Sequence, residues 1–285
     1  MKDTYLLDNY SININGNLLN LNTPIIMGIL NTTPDSFFDG GNYNSLDKAL
    51  KKVEKDLEHG ATIIDIGGYS SKPNGNEVSL EEEIERTIPY IEGIIKRFPN
   101  VNLSIDTFRG KVASLALEAG AGMINDISAW NIDPEMIKVV SEYKVPYVLM
   151  HMKGNPKTMQ DQPHYENLIK DILEFLVEKI DNLKSNGIKD IIIDPGFGFG
   201  KTIDHNYSIL SNLDSFKILN LPILVGISHK SMIYKKLKIS KLNTINGTTA
   251  LNMYSLTKGA KILRVHDVKE AMECIILNES INENY

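Results

Sequence analysis

The stretch Asp190 to Lys201, DIIIDPGFGFGK, decides the reading of this chain. Its apolar run Ile191-Ile192-Ile193 is the kind that forms a strand buried on both faces. The run ends on a carboxylate, Asp194. Pro195 then stops the ladder, and the glycines at 196, 198 and 200 let the backbone turn closely around whatever sits there. Met with once, the pattern reads as a buried aspartate capping a loop. It recurs in Ile63-Ile64-Asp65-Ile66-Gly67-Gly68, Leu103-Ser104-Ile105-Asp106, Met123-Ile124-Asn125-Asp126 and Val148-Leu149-Met150-His151. Each is an apolar run closed by an acid, an amide or an imidazole.

Working outward, the runs belong to a regular alternation. Strands are expected at Ile25–Leu30, Ala61–Ile66, Val101–Ile105, Met123–Ile127, Pro146–Met150, Asp190–Ile193, Pro222–Ile227 and Ala260–Val265. Helical patterns lie between them: Ser45–His59, Ser79–Phe98, Arg109–Ala119, Asp133–Glu142, Tyr165–Asn186, Asp204–Leu213, Lys230–Leu237 with Ile245–Thr257, and Asp267–Leu277. Eight strand-then-helix units with no composition break spell an α/β fold, a closed (β/α)8 TIM barrel. A doubly wound open sheet is the alternative, but it usually has fewer strands and a glycine phosphate loop after the first. Before the barrel, Ser11–Ile14 and Leu18–Leu21 flank Asn15-Gly16, a two-residue hairpin signal. The expected division is therefore a hairpin extension over 1–24, a catalytic barrel over 25–280 and a tail over 281–285. Barrel active sites lie at the C-terminal strand ends. The loops after the first two strands, 31–44 and 67–78, are long and read as mobile lids.

Composition narrows the function. The 285 residues are 42% hydrophobic and 23% charged, typical of a globular protein with a sizeable core. The net charge of −6 argues against a general nucleic-acid or anionic-membrane binder. A single cysteine, Cys274, allows no internal disulfide and no cysteine metal cluster. The start, MKDTYLLDNY, has no signal-like pattern, and no apolar run approaches membrane length, so a cytoplasmic protein is expected.

The strand ends carry a resemblance. Met27 to Phe37, MGILNTTPDSF, resembles the first signature of the dihydropteroate synthase family, and Asp65 to Pro73, DIGGYSSKP, is similar to the second. Ser104–Thr107, Ile124–Ile127, Met150–Met152, Asp194–Lys201, Ser228–Met232 and Arg264–Asp267 match the remaining motifs in order. The resemblance covers about residues 25 to 280. It implies a pterin-binding TIM barrel that joins 6-hydroxymethyl-7,8-dihydropterin pyrophosphate to p-aminobenzoate in folate biosynthesis. Small-molecule substrates, a homodimer and the place of a sulfonamide target come with it.

The residue types suit that chemistry. A pterin needs a carboxylate for its N–H edge and an amide that both donates and accepts. Asp106, Asn125 and Asp194 supply these, and Lys230 can donate to the ring carbonyl and N5. The alternative for Asp106 and Asn125 is that they satisfy nearby backbone. Arg264 and His266 offer donors to pyrophosphate, and family analogy makes Asn31 a ligand of Mg²⁺. The alternative for Arg264 is an ion pair with Asp267. Asp35 on the first lid would face the developing cation, unless it is only a turn residue after Pro34. Ser71, Lys72, Phe199 and Ser231, with Pro34, Phe37 and Pro73, are implied around p-aminobenzoate. The chain departs from the family pattern at Phe38, where Ser is usual. Tyr69, Ser71, Lys72 and Asn74 stand in the places of Glu, Thr, Arg and Gly, and His229 replaces an Arg. Lysine keeps the charge of arginine without its bidentate fork, which bears on p-aminobenzoate affinity. A pterin domain of a corrinoid methyltransferase, a pterin-binding paralogue without turnover and a structural partner protein are the other readings.

Overall fold

The computed structural model describes residues 10–33, 42–69, 77–156, 159 and 163–283. After a short antiparallel hairpin, β1 (Ser11–Ile14) and β2 (Asn17–Asn20), eight parallel strands close into a barrel. They are β3 (Ile25–Asn31), β4 (Ile63–Gly67), β5 (Leu103–Asp106), β6 (Met123–Asp126), β7 (Tyr147–Met150), β8 (Ile191–Asp194), β9 (Ile223–Val225) and β10 (Ala260–Val265). Each pairs with the next in sequence, and β10 closes on β3. The helices are α1 (Asn42–Glu58), α2 (Leu80–Arg97), α3 (Gly110–Glu118), α4 (Met136–Tyr143), α5 (Leu168–Ser185), α6 (Ile203–Ser211), α7 (Ser231–Leu237), α8 (Ile245–Thr257) and α9 (Val268–Glu283).

Local chemistry sets several boundaries. Ser79 caps α2 in a capping box: its Oγ accepts from the Glu82 N–H at 3.1 Å and its own N–H donates to Glu82 Oε2 at 2.9 Å. Asn167 caps α5 through Oδ1, which accepts from Lys170 N at 3.3 Å, so the helix starts at Leu168 rather than Tyr165. β9 is shorter than its apolar run. α9 meets no Gly or Pro before Glu283, so the tail expected from 281 is helical through that residue.

Alternation along the strands sorts their side chains. Ile26, Ile64, Ile105, Ile124, Leu149, Ile193 and Leu263 pack outward with the helices. Ile25, Met27, Ile63, Met123, Val148, Ile192, Leu224 and Ile262 form a second cluster inside the barrel. Ile12, Ile14 and Leu21 of the hairpin segment join that inner cluster and stopper its N-terminal end. The Asn13 N–H donates to Asp190 Oδ2 at 3.0 Å, just before β8, which ties the stopper in place. Fully burying each of these aliphatic side chains contributes roughly 1.5–3 kcal/mol.

Candidate active site

Two residues further along the same inward parity, the apolar layer gives way to polar groups. Asp65 follows Ile63, Asn125 follows Met123, Asp194 follows Ile192 and Arg264 follows Ile262. Strand register lines up one row across four strands, Asn31 to Gly67 to Asp106 to Asn125. Gly67 keeps the row open, because a Cβ there would stand 3.5 Å from Asp106 Oδ2 and 3.8 Å from Asn31 Oδ1.

Arg264 joins the row to a fully buried acid. Its Nε donates to Asp65 Oδ2 at 2.6 Å and its terminal nitrogen to Asp106 Oδ2 at 2.6 Å. Asn125 Nδ2 donates to the same Asp65 oxygen at 2.9 Å. Arg264 is thus ion-paired, but with strand ends across the barrel rather than with Asp267. The neutral fork of Asn125 pairs with a side chain rather than backbone. Burial, only partly offset by Arg264 and reinforced by Asp65, pushes the Asp106 carboxyl up to about 7, although 23% of its side chain still reaches the mouth. Burial opposes the charge on Arg264, but Asp65 and Asp106 outweigh it and hold the guanidinium protonated.

The glycine loop after β8 places the second carboxylate. Asp194 is 6% exposed, and its Oδ1 accepts from the Gly196 N–H at 2.7 Å. Gly196 has φ +74°, and a Cβ there would overlap the His151 carbonyl oxygen, so the loop folds only with glycine at this point. Burial raises the Asp194 pKa, while Lys230 opposes the rise. Lys230 donates to the Phe197 carbonyl and sits 4.8 Å from the centroid of the Phe199 ring. Burial lowers its ammonium pKa to about 8, with Asp194 pulling the other way. A second lysine, Lys201, is sealed behind the loop. Its Nζ contacts His151 Nδ1 at 2.9 Å and donates to the carbonyls of His151 at 3.2 Å and Phe199 at 3.0 Å.

On the opposite side, His266 and Ser228 meet: the hydroxyl lies 2.9 Å from His266 Nδ1 and accepts the His266 N–H at 3.3 Å. Burial, aided by Arg264, lowers the His266 pKa to about 3. The ring is neutral at pH 7. One ring nitrogen donates and the other accepts, with Nδ1 paired to the Ser228 hydroxyl. His229, at φ +54°, spans two loops, with Nε2 2.7 Å from Asp267 Oδ2 and Nδ1 2.5 Å from Thr244 Oγ1. An apolar wall completes the mouth: Phe108, Ile127, Met150, Met152 and Met159, with Tyr69 and Phe199 packed against them. Tyr69, at the glutamate place of the second signature, meets Phe108 edge-on at 5.0 Å, and Arg109 lies 5.5 Å from its ring centroid. Arg109 also donates to the carbonyls of Val78 and Ser79 and to Glu83, clamping the C-terminal stem of the second loop.

Asn31, Asp106, Asn125, Asp194, Phe199, Lys230, Ser231, Arg264 and His266 therefore all stand at the C-terminal strand ends or the first residues beyond them. Asp35, Ser71 and Lys72 lie outside the described residues, as do most of the two expected lids. Sequence reasoning missed the roles of Asp65 and Lys201. For Asp65 the signal was its parity with Ile63. For Lys201, a lysine closing a glycine loop gave none. Asp126, next to Asn125, belongs to the wall: its carboxylate accepts from Ser128 N–H and hydroxyl, Trp130 N–H and Tyr147 hydroxyl.

The lysine pKa has a kinetic consequence. Above pH about 8 the Lys230 ammonium loses its proton, so if it serves the site, kcat/KM should fall as pH rises through that value. In Lys230→Arg the cation no longer titrates, and the weaker activity that remains is level between pH 8 and 10. An unchanged basic limb in that variant would assign it to another group.

Comparison with known proteins agrees with this geometry. The family model described as "Pterin binding enzyme" matches residues 27–266. The chain is 44% identical over 267 residues to dihydropteroate synthase of Escherichia coli strain K12, covering 93% of this chain and 94% of that one. It superposes on the Yersinia pestis dihydropteroate synthase solved with a sulfonamide drug at a TM-score of 0.90 and 41% identity, over 97% of this chain and 100% of that one. Against the Xanthomonas albilineans enzyme in complex with 7,8-dihydropteroate, the TM-score is 0.86 and the identity 35%, over 96% and 99% of the two chains. With the barrel, the strand-end row and these relatives in agreement, the chain belongs to the pterin-binding enzymes and, among them, to the dihydropteroate synthase family of transferases.

Proposed function

We propose that Asp106, Asn125 and Asp194 hold the dihydropterin ring of 6-hydroxymethyl-7,8-dihydropterin pyrophosphate, and that Lys230 donates to its carbonyl and N5. The observation that carries this reading is the convergence of two carboxylates, one amide and one lysine on a single barrel mouth. Arg264 uses Nε and one terminal N–H on carboxylates, which leaves three of its five N–H groups for phosphate oxygens. His266, in the tautomer that accepts the Ser228 hydroxyl at Nδ1, adds an Nε2–H donor. The C–O bond breaks with its electron pair leaving on pyrophosphate, and the positive charge spreads from the methylene into the electron-rich ring. Asp194 and Asp106 stabilise that charge. The arylamine nitrogen of p-aminobenzoate then bonds to the methylene and loses a proton, giving 7,8-dihydropteroate.

The donor set fits Mg²⁺. Asn31 is exposed at the end of β3 with a carbonyl oxygen over the space that a Cβ at Gly67 would fill, and a hard oxygen donor of this kind suits an ion that keeps most of its waters. When bound there, the ion would neutralise charge on pyrophosphate. Phe199 and Ser231 stand beside Lys230 and would flank p-aminobenzoate, together with Ser71 and Lys72; Asp35 would face the cation. A sulfonamide would compete for the same pocket.

The working unit is a cytoplasmic homodimer. Ile276, Leu277 and Ile281 of α9 are 53%, 61% and 51% exposed, and Ile245 and Tyr254 of α8 40% and 41%. Leu277 and Ile281, with Ala250 and Met253 of α8, line a groove of about 480 Å³ between the two helices, suited to a second copy. Cys274 lies at the floor of that groove, 3% exposed, with its thiol against the Thr249 carbonyl of α8. The deciding assay is pyrophosphate release: it should require both p-aminobenzoate and the pterin pyrophosphate. Release with the pterin substrate alone, or none with both, would overturn the assignment.

A further inference from the structure

One acid at the site touches no part of the mouth. Asp65 is 0% exposed, yet its Oδ2 accepts from both Asn125 Nδ2 at 2.9 Å and Arg264 Nε at 2.6 Å. Its Oδ1 is buried without a partner among the described residues, as is the hydroxyl of Ser104, its register partner on β5. We propose that Asp65 is the positioning residue of the pterin slot, fixing which end of the Asn125 amide faces the ring and anchoring Arg264 against Asp106.

A side-chain amide has two ends, and in water a half-turn exchanges them at little cost. The two ends are chemically opposite, one donating and one accepting. A carboxylate can only accept, so the Asp65 oxygen selects the orientation in which Nδ2 points to the barrel wall. What Asn125 then presents to a ligand is led by Oδ1, an acceptor matched to ring N–H groups. In the other orientation Oδ1 would face a carboxylate oxygen and Nδ2 would face ring donors, leaving buried groups unpaired. An asparagine at position 65 would pair with either end and so lose this selection. The same oxygen holds Arg264 by Nε, the one guanidinium nitrogen with a single hydrogen. That sets the plane in which its terminal nitrogen reaches Asp106 at 2.6 Å. Asp65 therefore acts through two neighbours without touching substrate.

This inference rests on the slot proposed above, and the test separates the two. Calorimetric titration with 6-hydroxymethylpterin is run on the wild type, Asn125→Ala, Asp65→Asn, Asn125→Asp and the swapped double variant Asp65→Asn/Asn125→Asp. Asn125→Ala should weaken binding at least about tenfold; wild-type affinity there would remove the slot and this inference with it. Asp65→Asn should also weaken binding about tenfold. It should raise KM for the pterin pyrophosphate while leaving KM for p-aminobenzoate within about twofold, a selectivity that a general loss of structure would not produce. Asn125→Asp sets two carboxylates against each other and should bind poorly. In the swapped pair, the asparagine introduced at 65 accepts from Arg264 and donates to the new acid, so binding should recover at least about threefold over Asn125→Asp. That comparison stands even if Asp65→Asn alone fails to fold. Pterin affinity within twofold of wild type in a folded Asp65→Asn, or no recovery in the swap, would overturn the role of Asp65 while leaving the slot intact.

Discussion

Asp194→Asn lowers kcat/KM for the pterin pyrophosphate by at least about a hundredfold, about 2.7 kcal/mol of lost transition-state stabilisation. The substitution is nearly isosteric, and its carbonyl oxygen can still accept the Gly196 N–H that Asp194 Oδ1 holds at 2.7 Å. The glycine loop, its close approach to His151 and the fold should therefore survive. What disappears is a negative charge, 6% exposed and facing Lys230, at the place proposed for the ring that becomes cationic. Steady-state pyrophosphate release measures the loss, and circular dichroism checks the fold. Turnover near the wild-type rate in a folded variant would mean the cation is stabilised elsewhere.

Arg264→Ala should cost both activity and stability. The guanidinium is the cation that bridges Asp65, with a side chain 0% exposed, and Asp106, 23% exposed. Removing one partner from a buried ionic cluster typically costs about 3–5 kcal/mol, because the remaining charges are left without compensation. Three effects add at this position. Asp65 keeps only the Asn125 amide, Asp106 loses the group that restrains its rise in pKa, and pyrophosphate loses the fork proposed to hold it. The urea midpoint should fall clearly and kcat/KM by more than about a hundredfold. A wild-type midpoint with weakened pyrophosphate binding would show that Arg264 serves the anion alone. A lowered midpoint with intact pyrophosphate binding would show the reverse.

Much of the fold was legible in the residue order, and for a physical reason. A parallel barrel buries both faces of every strand, so each strand must be a continuous apolar run, and such runs stand out in a chain that is otherwise 23% charged. Ala260–Val265 was readable to the residue, and the Asn15-Gly16 turn announced the hairpin because both positions take positive φ, 50° and 88°. Polar residues at the ends of apolar runs marked the candidate site, since only a ligand or a specific partner repays their burial.

What holds each polar group in place was not legible. Asn125 and Asp126 are adjacent and both buried, and the family pattern singled out Asn125; only the structure shows that alternation turns Asp126 into a wall network with Tyr147. Sequence distance also hides ion pairs. Arg264 and Asp65 are 199 residues apart and meet only because β10 closes on β3 beside β4. Asp267, the near neighbour in sequence, points to His229 instead. The residue order by itself determined the eight units, the hairpin and the set of chemical groups at the strand ends, because burial and backbone conformation act locally along the chain. The tertiary structure alone decided the hidden role of Asp65 and the pKa values of Asp106 and Lys230, because dielectric surroundings and charge partners are set by closure of the barrel, which no local stretch contains.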